Sequence, residues 1–209
     1  MHSRYKSALA VLALVPTLLA AQTVLNTAKS PWQQEPTSVL GIELSVALNA
    51  QSNITECPTL PILRGSDAFR HDYSFKGYCH ERPYSPSDTR WLRNKPELGF
   101  PYGLRITTRD SHVHQIAITT NRSNLPDLRA LLIARYGPHH RIEQATYKNL
   151  AGASLDGSVA KWTGEQVEIT LAEYSTDLEV AEVIFTTRAY LQEVVRDRED
   201  KANRNKSKL

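Results

Sequence analysis

Apolar and polar residues alternate over residues 104–109, which puts Leu104 and Ile106 on one face of a strand. Asp110-Ser111 is turn chemistry, and Ile116 and Ile118 repeat the alternation in a second strand over residues 113–120. The short connection between them predicts an antiparallel hairpin. The period then changes. Leu125, Leu128, Leu131, Leu132 and Tyr136 recur at spacings of three and four, an apolar stripe on a helix. Asn124 is placed to cap that helix, because its side chain can accept from a free N–H one turn in. Pro126 suits the first turn, and Asp127 suits the positive end of the helix dipole. Gly137 and Pro138 end it.

Further along, residues 159–163, 167–174 and 180–187 each suit a strand. Val167, Ile169 and Leu171 alternate with Glu168 and Thr170, as in a half-exposed antiparallel strand. The pattern of residues 139–158 is ambiguous, and Gly152, Asp156 and Gly157 suggest a loop there. Residues 188–201 read as a helix with Tyr190, Leu191, Val194 and Val195 on one side. Residues 202–209 are charged, lack a core face and are expected to be disordered. Toward the N-terminus, residues 39–44 suit a short strand, and Ser45 is placed to cap a short helix ending at Ala50. The order strand, strand, helix, three strands, helix predicts one α+β domain over residues 38–201. In it, an antiparallel sheet carries its helices on one face.

Residues 57–101 resist assignment. Six prolines break them, and a strand over residues 72–78 is the one element expected. Cys57 and Cys79 are the only cysteines in the chain, so a disulfide between them is expected if the protein is exported. Export is expected from residues 1–21. Arg4 and Lys6 precede an apolar run over residues 8–20, too short to span a membrane, and small residues Ala20 and Ala21 follow. Cleavage there would leave a flexible lead-in over residues 22–37 and a periplasmic or secreted protein that is not embedded in the membrane. The chain has 25 basic and 22 acidic residues, and losing Arg4 and Lys6 brings it close to neutral, which gives no support for a nucleic-acid partner.

The helix followed by Tyr136-Gly137-Pro138, then Trp162 on a strand, then Val167 to Leu171, resembles a pattern in small exported proteins of Gram-negative bacteria whose function is uncharacterised. The resemblance spans about residues 125–174 and implies a periplasmic setting. Residues 57–101 do not match it.

The candidate chemistry is sparse. His112 and His114 share one face of a strand, with Asp110 on the same parity, a spacing that zinc and copper sites use. A third ligand would have to come from His71, His80, His139 or His140. A polar hairpin tip explains the same residues. His139 and His140 follow a helix end, where positive charge is favourable without further function. The chain has no nucleophile elbow, phosphate-binding loop or H-E-x-x-H motif. Glu165 with Glu168 and Glu179 with Glu182 read as solvated. No cofactor is implied.

Residues 57–102 hold half of the 16 aromatic residues, interleaved with basic ones. Tyr84, Arg90, Trp91 and Arg93 are the best binding candidates, able to stack on a sugar ring or hold an anionic group. The same aromatics could equally pack on one another. Charge is uneven as well: residues 64–109 carry nine basic and five acidic side chains, and residues 143–200 carry five and twelve. That split suits either electrostatic steering of a partner or pairing between the two halves. Asn53-Ile54-Thr55 and Asn121-Arg122-Ser123 are glycosylation sequons, relevant only in a eukaryotic source.

The expectation is thus a non-enzymatic exported protein that binds an envelope or secreted protein, or an envelope glycan. An inhibitor or immunity protein would be one version. The alternative is a metal-dependent envelope hydrolase using His112 and His114.

Overall fold

In the computed structural model, residues 32–57, 77–80, 88–148 and 154–206 are described. In chain order they form β1 (Ser38–Val39), β2 (Ile42–Glu43), β3 (Ile54–Glu56), β4 (Tyr78–His80), β5 (Thr89–Arg93), β6 (Tyr102–Arg109), β7 (His112–Asn121), α1 (Leu125–Tyr136), β8 (Arg141–Lys148), β9 (Ser154–Thr163), β10 (Val167–Ala172), β11 (Val180–Thr187) and α2 (Arg188–Lys206). Nine strands make one sheet, ordered β3-β4-β5-β6-β7-β11-β10-β9-β8. All neighbours are antiparallel except β3 and β4. The small β1–β2 hairpin stands apart from it. The protein is therefore a single α+β domain with a mostly antiparallel sheet.

Register explains the core. Leu104, Ile118, Val183, Leu171, Ala160 and Ile142 line up across six strands, and Ile106, Ile116, Phe185, Ile169 and Trp162 form the next row. All are buried except Ile142, at the sheet edge. Burying one such aliphatic or aromatic side chain is worth about 1.5–3 kcal/mol. Helix α1 covers these rows with Leu125, Leu128, Leu132 and Tyr136, and the Tyr136 ring meets Phe185 edge-on at 5.6 Å. Val39 and Ile42 of the β1–β2 hairpin close the same core.

The end of α1 is tightly held. Gly137 takes φ +78°, and its N–H donates to the Ile133 carbonyl. Two indoles then satisfy carbonyls at the helix terminus: Trp32 Nε1 donates to Tyr136 O at 2.9 Å, and Trp162 Nε1 donates to Gly137 O at 2.8 Å. The Tyr-Gly-Pro stop and Trp162 are thus one physical unit.

Several local expectations change. Gly152, Asp156 and Gly157 suggest a loop within residues 139–158, whose pattern alone decides nothing, but 141–148 and 154–163 are the β8–β9 hairpin. Strand β8 is an edge strand with charge at Arg141 and Glu143 and one large aliphatic, Ile142, which is 46% exposed. Polar edges protect against strand addition, and they also hide the alternation. Gly157, which suggested a turn, lies inside β9, where the Tyr174 and Tyr147 rings occupy the space of a side chain.

Asn124 does not cap α1. A 3-10 turn over Arg122–Asn124 precedes the helix, the Asn121 side chain accepts from Ser123 N, and Asn124 donates to Thr120 Oγ1. Leu131, expected on the buried stripe, is 43% exposed. Ser45 does not start a helix; it has φ +63°, and the 3-10 turn begins at Leu48. Residues 39–44 form the β1–β2 hairpin rather than one strand, turning at Leu40-Gly41 with both φ positive. The lead-in expected through residue 37 is bonded to the domain from Trp32 onward.

Only α1 packs over the core. Helix α2 buries no side chain; Arg109, which points away from Leu104 and Ile106, binds its Glu193 and Asp197. The helix also runs on to Lys206, past the expected end at residue 201. Of the strand expected at residues 72–78, only Gly77 and Tyr78 are described, and Tyr78 opens β4; residues 207–209, the leader at 1–21 and the first part of the lead-in lie outside the described residues. Among the described residues, no helix is long and apolar enough to cross a membrane.

Candidate functional site

Strand parity divides the expected binding set. Arg90 pairs with Ile106 and faces the core side, whereas Trp91 pairs with Arg105 and faces the other. Arg93 shares the parity of Trp91, and Tyr84 lies outside the described residues. The Arg90 guanidinium donates to Thr108 Oγ1 at 2.7 Å. It lines a polar cavity of about 360 Å³ with Glu56, His80 and Ser111. Among the described residues of that set, Arg90 thus faces the opposite side of the sheet from Trp91 and Arg93.

Trp91 has its own surroundings on the face opposite the core. Its indole lies over Gly103 of β6, so closely that a Cβ on Gly103 would come within 2.9 Å of the ring and 2.6 Å of Thr119 Oγ1. The missing side chain makes room for the indole, and an aromatic covering a strand glycine is a known sheet-stabilising device. Even so, Trp91 is 49% exposed. Beside it, Arg105 reaches across Ala117 of β7 to Glu182 of β11, with an N–O distance of 2.6 Å. Ala117 is buried beneath this pair. A half-open indole, a hydroxyl, a guanidinium and a carboxylate thus share one face of the sheet.

Arg105 and Thr119 carry no sequence signal of a site, and Glu182, which reads as solvated, is instead largely covered and paired with Arg105. What the sequence does offer is Gly103 inside a strand and polar residues out of phase with Leu104 and Ile106. Without the register, nothing showed that β5 and β11 brought Trp91 and Glu182 to the same face.

The histidines are brought only partly together. The His112 and His114 rings lie 6.5 Å apart. Each uses Nδ1 locally: His112 with the Asp110 carbonyl at 2.8 Å, His114 with Thr187 Oγ1 at 3.1 Å. His114 also stacks on Tyr190 at 5.5 Å. Burial holds its pKa below the ordinary imidazole value, against the pull of Glu193. Among the described residues, no three His, Cys, Asp or Glu side chains gather where a metal ion would sit. His80 belongs to the Arg90 cavity, and His71 lies outside the described residues. His139 packs edge-on to Trp162, and His140 Nδ1 accepts from Thr163 N while its ring meets Trp32. These three contacts tie both imidazoles into the domain.

The uneven charge is at least partly consumed inside the domain. Arg105 with Glu182, and Arg109 with Glu193 and Asp197, pair the basic half of the chain with the acidic half.

The chain matches no family model, no curated protein and no solved structure.

Proposed function

We propose that this is a non-enzymatic binding protein of the cell envelope, periplasmic or secreted, that holds an envelope glycan against Trp91. The observation that carries the reading is the half-exposed indole on the non-core face, flanked by Arg105, Glu182 and Thr119. An exposed indole offers a flat apolar surface to the C–H face of a sugar ring. Around it, Arg105 can donate to sugar hydroxyls, Glu182 can accept from them, and Thr119 can do either. The leader-like residues 1–21, the Cys57–Cys79 bond and the resemblance to exported Gram-negative proteins support the address.

Calorimetric titration with soluble peptidoglycan and envelope polysaccharide fragments tests this. The Trp91→Ala variant should stay folded, with a lowered melting temperature because the indole also covers Gly103, and lose at least tenfold in affinity, which corresponds to about 1.4 kcal/mol. Equal binding by wild type and variant would remove Trp91 from the site. If no glycan binds but crosslinking in native envelope captures a protein through this face, the occupant is a protein, as for an inhibitor or immunity protein. A hydrolase built on His112 and His114 gains no support from a third nearby ligand among the described residues.

A further inference from the structure

On the core side of the sheet, opposite Trp91, α1 does not close fully against the β1–β2 hairpin. A cavity of about 300 Å³ remains between them, lined by Val39, Leu98, Ile118, Leu128, Leu132 and Phe185. This volume is at the lower end of the range for small-molecule sites, roughly 300–1,000 Å³. Leu131 stands at its mouth. The residue falls in phase with the core stripe yet stays exposed, because the space beneath it is open. Apolar lining that faces water forgoes the gain of burial, about 25 cal/mol per Å², which an apolar occupant would recover.

The lining carries one charged side chain, Arg135. It is exposed on the last turn of α1 and makes no ion pair among the described residues. The Tyr136 hydroxyl lies beside it. An apolar slot with a cation and a hydroxyl at its rim is complementary to one kind of molecule: an alkyl chain ending in an anionic, hydrogen-bonding head. We propose that this cavity binds a single-chain carboxylate amphiphile, its chain between α1 and the β1–β2 hairpin and its carboxylate on Arg135. The site is separate from the Trp91 face, and the proposal does not depend on the glycan reading.

Calorimetry with hexanoate, octanoate, decanoate and dodecanol, each below its aggregation concentration, tests it on the full chain. Binding should be one to one. Each added methylene should tighten it about fourfold until the cavity is full. Arg135→Gln should weaken the carboxylates at least tenfold and leave dodecanol unchanged. Leu131→Trp, a rim substitution at an exposed position, should block both classes while the melting temperature stays near wild type. The proposal is overturned if no chain binds, if affinity ignores chain length, or if Arg135→Gln leaves the carboxylates unchanged. Undiminished binding by a folded Leu131→Trp protein would also overturn it.

Discussion

Gly103 has no side chain where two neighbours already fill the space. Its backbone is ordinary for a strand, so alanine would be tolerated by the chain and opposed by the packing. Gly103→Ala should displace the Trp91 ring and the Thr119 hydroxyl together and destabilise the domain by about 1–3 kcal/mol. Urea denaturation followed by tryptophan emission checks both effects. An alanine variant with wild-type stability and emission would mean that the ring does not rest on Gly103. At this scale sequence reading had uneven reach. Trp91 stood out as an aromatic among basic residues. Arg90 looked like its companion because adjacent residues seem close in a sequence, whereas in a strand they point to opposite faces. Leu131 failed for a different reason: its helical phase was right, but phase does not show whether the facing element reaches far enough to cover it.

Elements were legible in proportion to how clearly they were half-buried. Strands β6 and β7 lie mid-sheet and alternate cleanly, and α1 ends on a glycine with positive φ. Strand β8 has a neighbour on one side only, so its residues answer to solvent more than to a core. Helix α2 extends beyond its apolar positions with no buried contact, and no core-face criterion could have found its end. The short segment ahead of β1 was hidden because it acts through single polar contacts. The Glu35 carboxylate accepts from the N–H groups of Glu165, Gln166 and Val167 at 3.0, 2.6 and 2.5 Å, holding the β9–β10 turn. Glu35→Ala should cost about 1.5 kcal/mol, the lower part of the range for hydrogen bonds to a charged group, because two of these N–H groups can be rehydrated. Glu35→Gln, with one acceptor oxygen left, should fall between. Chemical denaturation of the three proteins checks the order. Wild-type stability in both variants would show that the turn holds without Glu35.

At the scale of the whole molecule, the fold class was readable because one continuous sheet writes its alternation into most of the chain. The weak point is the β3–β4 end. Strand β3 has three residues and one sheet neighbour, the parallel β4, and the Cys57–Cys79 bond ties the two directly after the register Thr55–Cys79. The bond closes a loop with a sequence separation of 22 residues, which in the chain-entropy model stabilises the fold by roughly 3 kcal/mol. A substitution of both cysteines by serine should therefore lower stability by about that amount. The loss of order should be local. Amide exchange should quicken in β3 and β4, spread weakly into β5 and leave β7, β11, β10 and β9 as protected as before, since their rows of buried side chains do not involve the bond. If exchange instead quickened uniformly, the disulfide would be a support of the whole core. A local result has a consequence for binding. Trp91 sits on β5, next to the strand that the disulfide anchors, so reduction should weaken ligand binding at Trp91 before the core unfolds. That ordering would make the proposed glycan site dependent on an oxidising compartment, and binding measured with and without reductant would decide it.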